Sequence, residues 1–483
     1  MSIIIPANSA VSGGFGVANS LMLNNPGDTA YLSRSNSSGT STKKGTISVW
    51  VKGGEEPSGN NQTTLASWGD ANNHGALLWN GSDKIDAFDY QSGYASQLQT
   101  SAVLRDSSAW YHIVYSWDTT LSTANDRQKV YINGVEQTYS TRTNYSQDAA
   151  TSWNANSYSV RVGALNSSSY FRGYMSEVVF IDGQQLAPTS FGEFDEDSEI
   201  WKPIDVSGLT FGTNGAYLDF EDSSNLGNDA NGGTDFSETN LAATDQATDT
   251  CTNNFATLNP LSIWGGSTAT SSTFLSEGNT KFDTGTNSAK GVVNTSIGVS
   301  SGKWYCELKT LETDRMWIGI INKQFFTSTT NNFWTTGLSS GFFWYGNGTA
   351  VYNSNDDSYS TYGGYTDNDV VMFALDMDNY AWYLGKNGTW LNSGNPESGA
   401  TKTGSVTGLS NFGTATLTDY GEVFFMQGDS SNAGTSNAQW NFGNPFFSIS
   451  SGNSDGNGYG NFEYTVPSGY FALNSKNLAE YGG

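Results

Sequence analysis

The chain has 483 residues, with 21 Lys plus Arg against 46 Asp plus Glu, for a formal net charge of −25. That length exceeds what one core serves, so at least two domains are expected, and the acidic balance argues against a nucleic-acid-binding surface while favouring a solvated exterior. Charged residues make up only 14%, aromatics also 14%, and Gly numbers 56, with few periodic helix-forming runs; this points to an all-β fold with many turns.

Residues 1–27 carry no charged side chain and are rich in Ser, Asn and Gly around Ile3, Ile4 and Ile5. Such an arm suits packing on another protein through those isoleucines, or addition of an edge strand to its own domain. MSIIIPANSA lacks a basic stretch and a long apolar core, so no secretory signal is expected. No segment approaches the ~20 apolar residues of a membrane span. A protein made in a cytoplasm and kept soluble there, or released by lysis, is the expectation.

Residues 28–190 read as short strands at regular spacing: 46–52, 63–69, 75–80, 109–117, 127–137, 159–164 and 173–184. Each alternates apolar with polar residues and ends in a turn cluster, the pattern of an antiparallel sandwich or jelly roll. The runs WYHIVYSWD, KVYINGVE with its Asn133-Gly134 turn, and GYMSEVVFIDG resemble successive strands of the concanavalin A-like and laminin-G-like family. That resemblance implies loop carboxylates able to hold a structural calcium, with Asp118, Asp126, Asp182 and Asp222 in suitable loops but in no EF-hand-like spacing. No metal ligands are assigned and no cofactor is expected. Of the two histidines, His112 lies within an alternating strand and reads as structural; His74 has no companion set for nucleophilic catalysis.

Residues 191–262 read as an irregular connector. Glu193-Phe194-Asp195-Glu196-Asp197 begins like the carboxylate set of a jelly-roll glucanase, where acid and nucleophile stand ~5 Å apart. It then places Asp197 and Ser198 where the closing glutamate belongs. It is read as a surface turn, with no catalytic residue assigned. FGEFDEDSEIWKP, FGTNGAYLDFEDSSNLGNDANG and DTCTNNFATLNPL together resemble the segment that joins a lectin-like to a SPRY module in tailed-phage structural proteins. The chain departs from that pattern at Cys251, where Pro is usual, and in its GNDANGG turn, which weakens any ion-binding role for the turn. Cys251 and Cys306 lie far apart and form no metal-ligand spacing; they read as small buried residues, with a disulfide left open.

Residues 263–476 contain the alternating run Val370–Asp376, a turn at Asp378-Asn379, a second run through Leu384, and Lys386-Asn387-Gly388, whose Asn-Gly pair suits a tight hairpin. With GKWYCELKT, RMWIGIIN and the late WNFG, these runs resemble a SPRY domain in order. The resemblance implies partner binding through loops at one end of the sandwich, with Phe333, Trp334, Tyr359, Tyr362 and Tyr365 as candidate contacts. Residues 477–483 read as a tail. The family pattern as a whole implies a non-enzymatic protein on the exterior of a phage virion, made in the host bacterial cytoplasm. It would be a fibre or knob bound to capsid, portal or tail proteins, homo-oligomeric, and directed at a host-surface glycan or protein. An architectural decoration protein without a host ligand is the alternative, and a glycan hydrolase a remote one.

Overall fold

The computed structural model describes residues 14–23, 29–54, 63–156, 158–166, 168–265, 274–285, 291–314, 316–322, 341–346, 350–353, 358–406, 421–429 and 435–482. The chain is all-β and divides into two compact units, residues 1–254 and 255–483.

The first unit is a sandwich of two antiparallel sheets. One runs Val135–Glu136, Gln128–Ile132, Trp110–Asp118, Lys44–Gly53, Gly173–Asp182, Ser20–Leu23, Gln246–Ala247, and Ala216–Leu218 also pairs with Gly173–Asp182. The facing sheet runs Tyr139–Thr143, Tyr94–Thr100, Ile85–Gln91, Asn73–Trp79, Thr63–Gly69, Ser159–Val162, Tyr31–Ser35, Ser237–Thr239. Alternation decides which side chains meet between them. Ile47, Val49 and Val51 of one sheet join Leu77, Trp79, Ile85, Ala87 and Leu98 of the other in a single core, with Trp68, Trp117 and Trp153 at its centre. Trp153 meets both other indoles edge-on, at 5.5 and 5.3 Å.

The expected connector is woven into this unit. Ala216–Leu218 pairs with Gly173–Asp182, Ser237–Thr239 with Tyr31–Ser35, and Gln246–Ala247 with Ser20–Leu23. Its Phe191, Val206 and Phe211 cover Val114, Val179 and Ile181 on the outer face of the first sheet. That face therefore has a second dry layer, and each such side chain contributes roughly 1.5–3 kcal/mol. Lys52 projects to the same side and meets Asp249 at 2.6 Å, both side chains being buried. Trp110 Nε1 donates to the other carboxylate oxygen at 3.1 Å, and Lys52 donates to Asn254 Oδ1 at 2.7 Å. Of the uncharged N-terminal segment, Ser20–Leu23 is a buried strand of its own domain. Ile3, Ile4 and Ile5 lie outside the described residues.

The second unit is another two-sheet sandwich. One sheet runs Leu258–Gly265, Gly291–Thr295, Val423–Asp429, Met316–Asn322, Gly341–Tyr345, Ala350–Asn353, Ser358–Thr361. The other runs Leu275–Ser276, Lys281–Asp283, Asn437–Asn441, Lys303–Glu312, Val370–Asp376, Ala381–Lys386, Thr389–Trp390, with Phe471–Ala472 parallel to Lys303–Glu312. The predicted hairpin is present in register from Val371↔Lys386 to Asp376↔Ala381. Asn387 and Gly388 both take positive φ, 47° and 81°, at its tip. Phe373 stacks between Trp382 and Trp440 at 5.9 and 5.6 Å. The expected C-terminal tail is instead a helix, Ser475–Tyr481, capped by Asn474 and anchored by buried Leu478. Among the described residues, no helix is long and apolar enough to cross a membrane.

Candidate functional site

Strands Ile85–Gln91 and Tyr94–Thr100 form a hairpin closed by Ser92 and Gly93, both with positive φ. Ile85, Ala87 and Leu98 point inward, so Asp86, Phe88, Tyr90, Gln97 and Gln99 stand on the outer face. The register shift between Asp89 and Tyr90 pairs Tyr90 with Tyr94 and Asp89 with Ser96, leaving Ala95 as an extra residue. This bulge brings Tyr94 onto the same face as Gln97.

At the turn end of that face four rings form one cluster. His74 stacks on Tyr90 at 5.7 Å and meets Phe88 edge-on at 5.9 Å. Tyr94 meets Phe88 edge-on at 5.7 Å and Tyr90 at 5.6 Å. Phe88 is buried against Ala76, Leu78 and Leu165, whereas Tyr90 is 36% and Tyr94 56% exposed. Rings held edge-to-face lose little freedom on binding and present a rigid apolar surface with polar tips.

Beyond the rings lies a polar row. Asp86 is only 6% exposed and accepts from Gln97 Nε2 at 3.2 Å and Gln99 Nε2 at 3.5 Å. Burial pushes its carboxyl above the usual range, while the amides of Gln97, Gln99 and Asn80 pull it part of the way back. Gln99 Oε1 in turn accepts from Ser140 Oγ, to which Lys84 Nζ donates, each at 3.0 Å. An apolar platform beside a set of oriented amides can hold a ligand with one apolar face and a hydroxyl rim.

The residues singled out from sequence fall elsewhere. Phe333 and Trp334 lie outside the described residues. Tyr359 belongs to strand Ser358–Thr361, its side chain outside the described ones. Tyr362 and Tyr365 correct the expectation of a presented loop: they are 5% and 1% exposed and belong to the core of the second unit. Tyr365 OH donates to Met316 O at 2.8 Å, and its ring meets Trp344 edge-on at 4.8 Å. A tyrosine flanked by glycines looks presentable in sequence, but here the glycines let the chain fold its rings inward.

Ser48 Oγ and His112 Nε2 are 2.7 Å apart, the distance of a nucleophile and its base. Trp201 Nε1 donates to His112 Nδ1 at 2.9 Å, so the ring proton sits on Nε2 and is directed at Ser48. That is the reverse of a base awaiting a proton. The imidazole is sealed between Trp50 and Trp201, and burial pushes it down to about 3, so it stays neutral. Glu193 and Asp195 both pair with Lys202, at 3.3 and 3.1 Å. Bonds from Ser198 and Lys202 hold Asp195 down to about 2, far from a proton donor. The loop aspartates have donors of their own. Asp182 accepts from Thr40 N, Ser41 N, Asn214 N and Asn154 Nδ2. Asp118 pairs with Lys44, Asp126 with Lys129, and Asp222 accepts from Ser224. Among the described residues, no three His, Cys, Asp or Glu side chains converge on a metal position. Cys251 and Cys306 are free and buried, one in each unit, and burial pushes both thiols up.

Residues 26–186 match the family model of the Concanavalin A-like lectin/glucanases superfamily. The matched residues lie within the first unit. No curated protein matches the chain in sequence. Among solved structures, the chain is similar to the SPRY domain of human HERC1 at 16% identity and TM-score 0.28, covering 38% of this chain and 96% of that one. It is also similar to domain 4 of AbnA, an extracellular GH43 arabinanase from Geobacillus stearothermophilus, in complex with arabinotriose. There the identity is 23% and the TM-score 0.25, over 31% of this chain and 65% of that one. The CBM40 of the Ruminococcus gnavus IT-sialidase, bound to α2,3-sialyllactose, is similar at 17% identity and TM-score 0.22, over 31% of this chain and 91% of that one. Likenesses this distant carry no information about the ligand. The ring cluster at Tyr90 and Tyr94 belongs to the lectin-like unit.

Proposed function

We propose that this chain is a non-catalytic glycan-binding protein of a tailed-phage virion, with the outer face around Tyr90 and Tyr94 as its recognition surface. The observation that supports the binding role is the ring pair itself. Tyr90 and Tyr94 are exposed, in mutual contact and rigid, and they adjoin a carboxylate–amide row on a lectin-like fold. A pyranose offers a matching pair of surfaces, an apolar C–H face and a hydroxyl rim. Asp195, held down to about 2 by bonds from Ser198 and Lys202, is unsuited to give up a proton, which favours binding over hydrolysis.

The virion role is supported by the similarity of residues 191–262 to the joining segment of tailed-phage proteins. The protein is placed on the particle exterior, attached to capsid, portal or tail proteins through its uncharged N-terminal segment, Ile3, Ile4 and Ile5 included. It needs no cofactor, and it is homo-oligomeric, so that many weak sites act together.

Two measurements test this. In binding of purified full-length chain to a glycan array, Tyr94→Ala should reduce affinity about tenfold, equivalent to ~1.4 kcal/mol. Tm should be unchanged, since the ring is exposed. Saturable binding that ignores Tyr94, or no binding at all, refutes the recognition surface; the latter would favour an architectural decoration protein. Electron microscopy of particles carrying labelled chain should find the label outside, and a label confined to the capsid interior refutes the virion role.

A further inference from the structure

The outer face of the lectin-like unit is longer than one sugar ring, and its parts are ordered along the strands. Phe88 and Asp86 are two residues apart on one strand, about 6.6 Å, and Tyr94 and Gln99, which pair across the bulge with Tyr90 and Asp86 four residues apart, are separated by about 13 Å. The Tyr90–Tyr94 pair therefore occupies one end, Gln97 stands opposite Phe88, and Asp86 with Gln99 occupies the other end. A single pyranose seated on Tyr94 does not reach Gln99. Both ends are engaged only by a chain lying along the strands.

The charge of the row is equally specific. Asp86 is the one ionisable group within it, and the amides on either side turn their N–H groups toward it. Among the cations in and beside the same sheet, Arg34 pairs with Asp229 at 3.4 Å, while Lys84, Arg142 and Arg161 are directed to neutral partners. Lys84 donates to Ser140 Oγ at 3.0 Å, and Arg161 to Asn166 Oδ1 at 3.3 Å. Arg142 donates to Asn125 O and Gln128 O, and to Asn144 Oδ1 at 2.9 Å. With Nε2 of each glutamine turned to Asp86, Gln97 offers its amide oxygen to a hydroxyl donor, as Gln99 Oε1 already does to Ser140 Oγ, while an anionic substituent would face the Asp86 carboxylate. Like charges in that setting repel strongly.

We propose that this face binds an internal stretch of an uncharged oligosaccharide, at least two units long, and that Asp86 is the positioning residue that orients Gln97 and Gln99 and excludes acidic sugars. This rests on the glycan-binding reading above and specifies its ligand. Asp86 acts through the amides and through its field.

The test is an array of neutral and uronic- or sialic-acid-containing oligosaccharides of one to six units, probed with full-length wild-type chain, Tyr94→Ala, Gln97→Ala and Asp86→Asn. The expected result is neutral binding that strengthens at least tenfold from monosaccharide to tetrasaccharide, falls in Tyr94→Ala and falls several-fold in Gln97→Ala. In Asp86→Asn the neutral-to-acidic ratio should narrow by on the order of tenfold. A purely structural Asp86 would lower all affinities alike and leave that ratio unchanged, which would overturn its assignment. Tyr94-dependent binding of acidic glycans, or of monosaccharides as tightly as of tetrasaccharides, would overturn the ligand class while leaving the glycan-binding surface intact. Binding to no array member, or binding insensitive to Tyr94, would overturn both.

Discussion

Glu177 shows how one residue can set the pH response of the first unit. It sits where strand Gly173–Asp182 shifts register between Ser176 and Val179, and it holds a φ of 49°, a conformation that β-carbons disfavour. Its side chain is buried and accepts from Tyr217 OH at 2.7 Å. Burial pushes the carboxyl up to about 8, and Asp219, Glu221 and Asp205 push the same way. The sign follows from proton binding. Below its ordinary value of 4.5 the group is protonated whether folded or not, and its contribution is fully present. Between there and about 8 the unfolded chain releases a proton that the folded chain keeps, so stability is lost as pH rises. The total is on the order of 4–5 kcal/mol. Glu177→Gln, a permanent mimic of the protonated form, should raise Tm at pH 8.5 and leave it nearly unchanged at pH 4.5. Equal shifts at both pH values would show that the carboxyl does not titrate in this interval.

At the scale of elements, the outer face of the Lys44–Gly53 and Gly173–Asp182 strands depends on residues 191–254. Without them Val114, Val179 and Ile181 would face water, His112 would lose Trp201, and Lys52 would lose Asp249. A chain ending at residue 190 should therefore fail to give a cooperative unfolding transition, whereas one ending at 254 should give one. Lys52→Met in the full chain leaves the Asp249 carboxylate buried without its ion partner, and should cost about 3–5 kcal/mol by denaturant unfolding. A loss below 1 kcal/mol would mean that solvent reaches this pair. The same layer explains what was legible. The hairpin from Val370 to Lys386 was readable because its alternation and Asn-Gly tip agree with each other. Segment 191–254 looked irregular because its strands are only two or three residues long, too short to show a period. Strands Ile85–Gln91 and Tyr94–Thr100, which hold the proposed recognition face, escaped notice for another reason. Asp89 takes an inward position, satisfied by Ser152 and Tyr145, Phe88 takes an outward one, and Ala95 breaks the parity. The face had one local sign, a tyrosine on each side of Ser92-Gly93, and its meaning depends on a bulge that alternation alone does not reveal.

At the scale of the whole molecule, the two units have separate cores. The first is built around Trp68, Trp117 and Trp153, and the second around Phe373, Trp382, Phe425 and Trp440. The proposed recognition face, on strands Ile85–Gln91 and Tyr94–Thr100, belongs to the first unit. Units with their own cores unfold as separate cooperative blocks when few interactions link them. Phe373 tests this because it is fully buried and contacts three aromatic rings of the second core. Phe373→Ala should cost about 3–5 kcal/mol. In calorimetry the full-length chain should show two transitions, only one of which moves in this variant, by roughly 10 °C. Glycan affinity measured below both transitions should be unchanged, because the cavity lies in the other core. A single transition that moves as a whole, or a matching loss of glycan binding, would mean that the units are energetically coupled and that the second supports the recognition surface of the first.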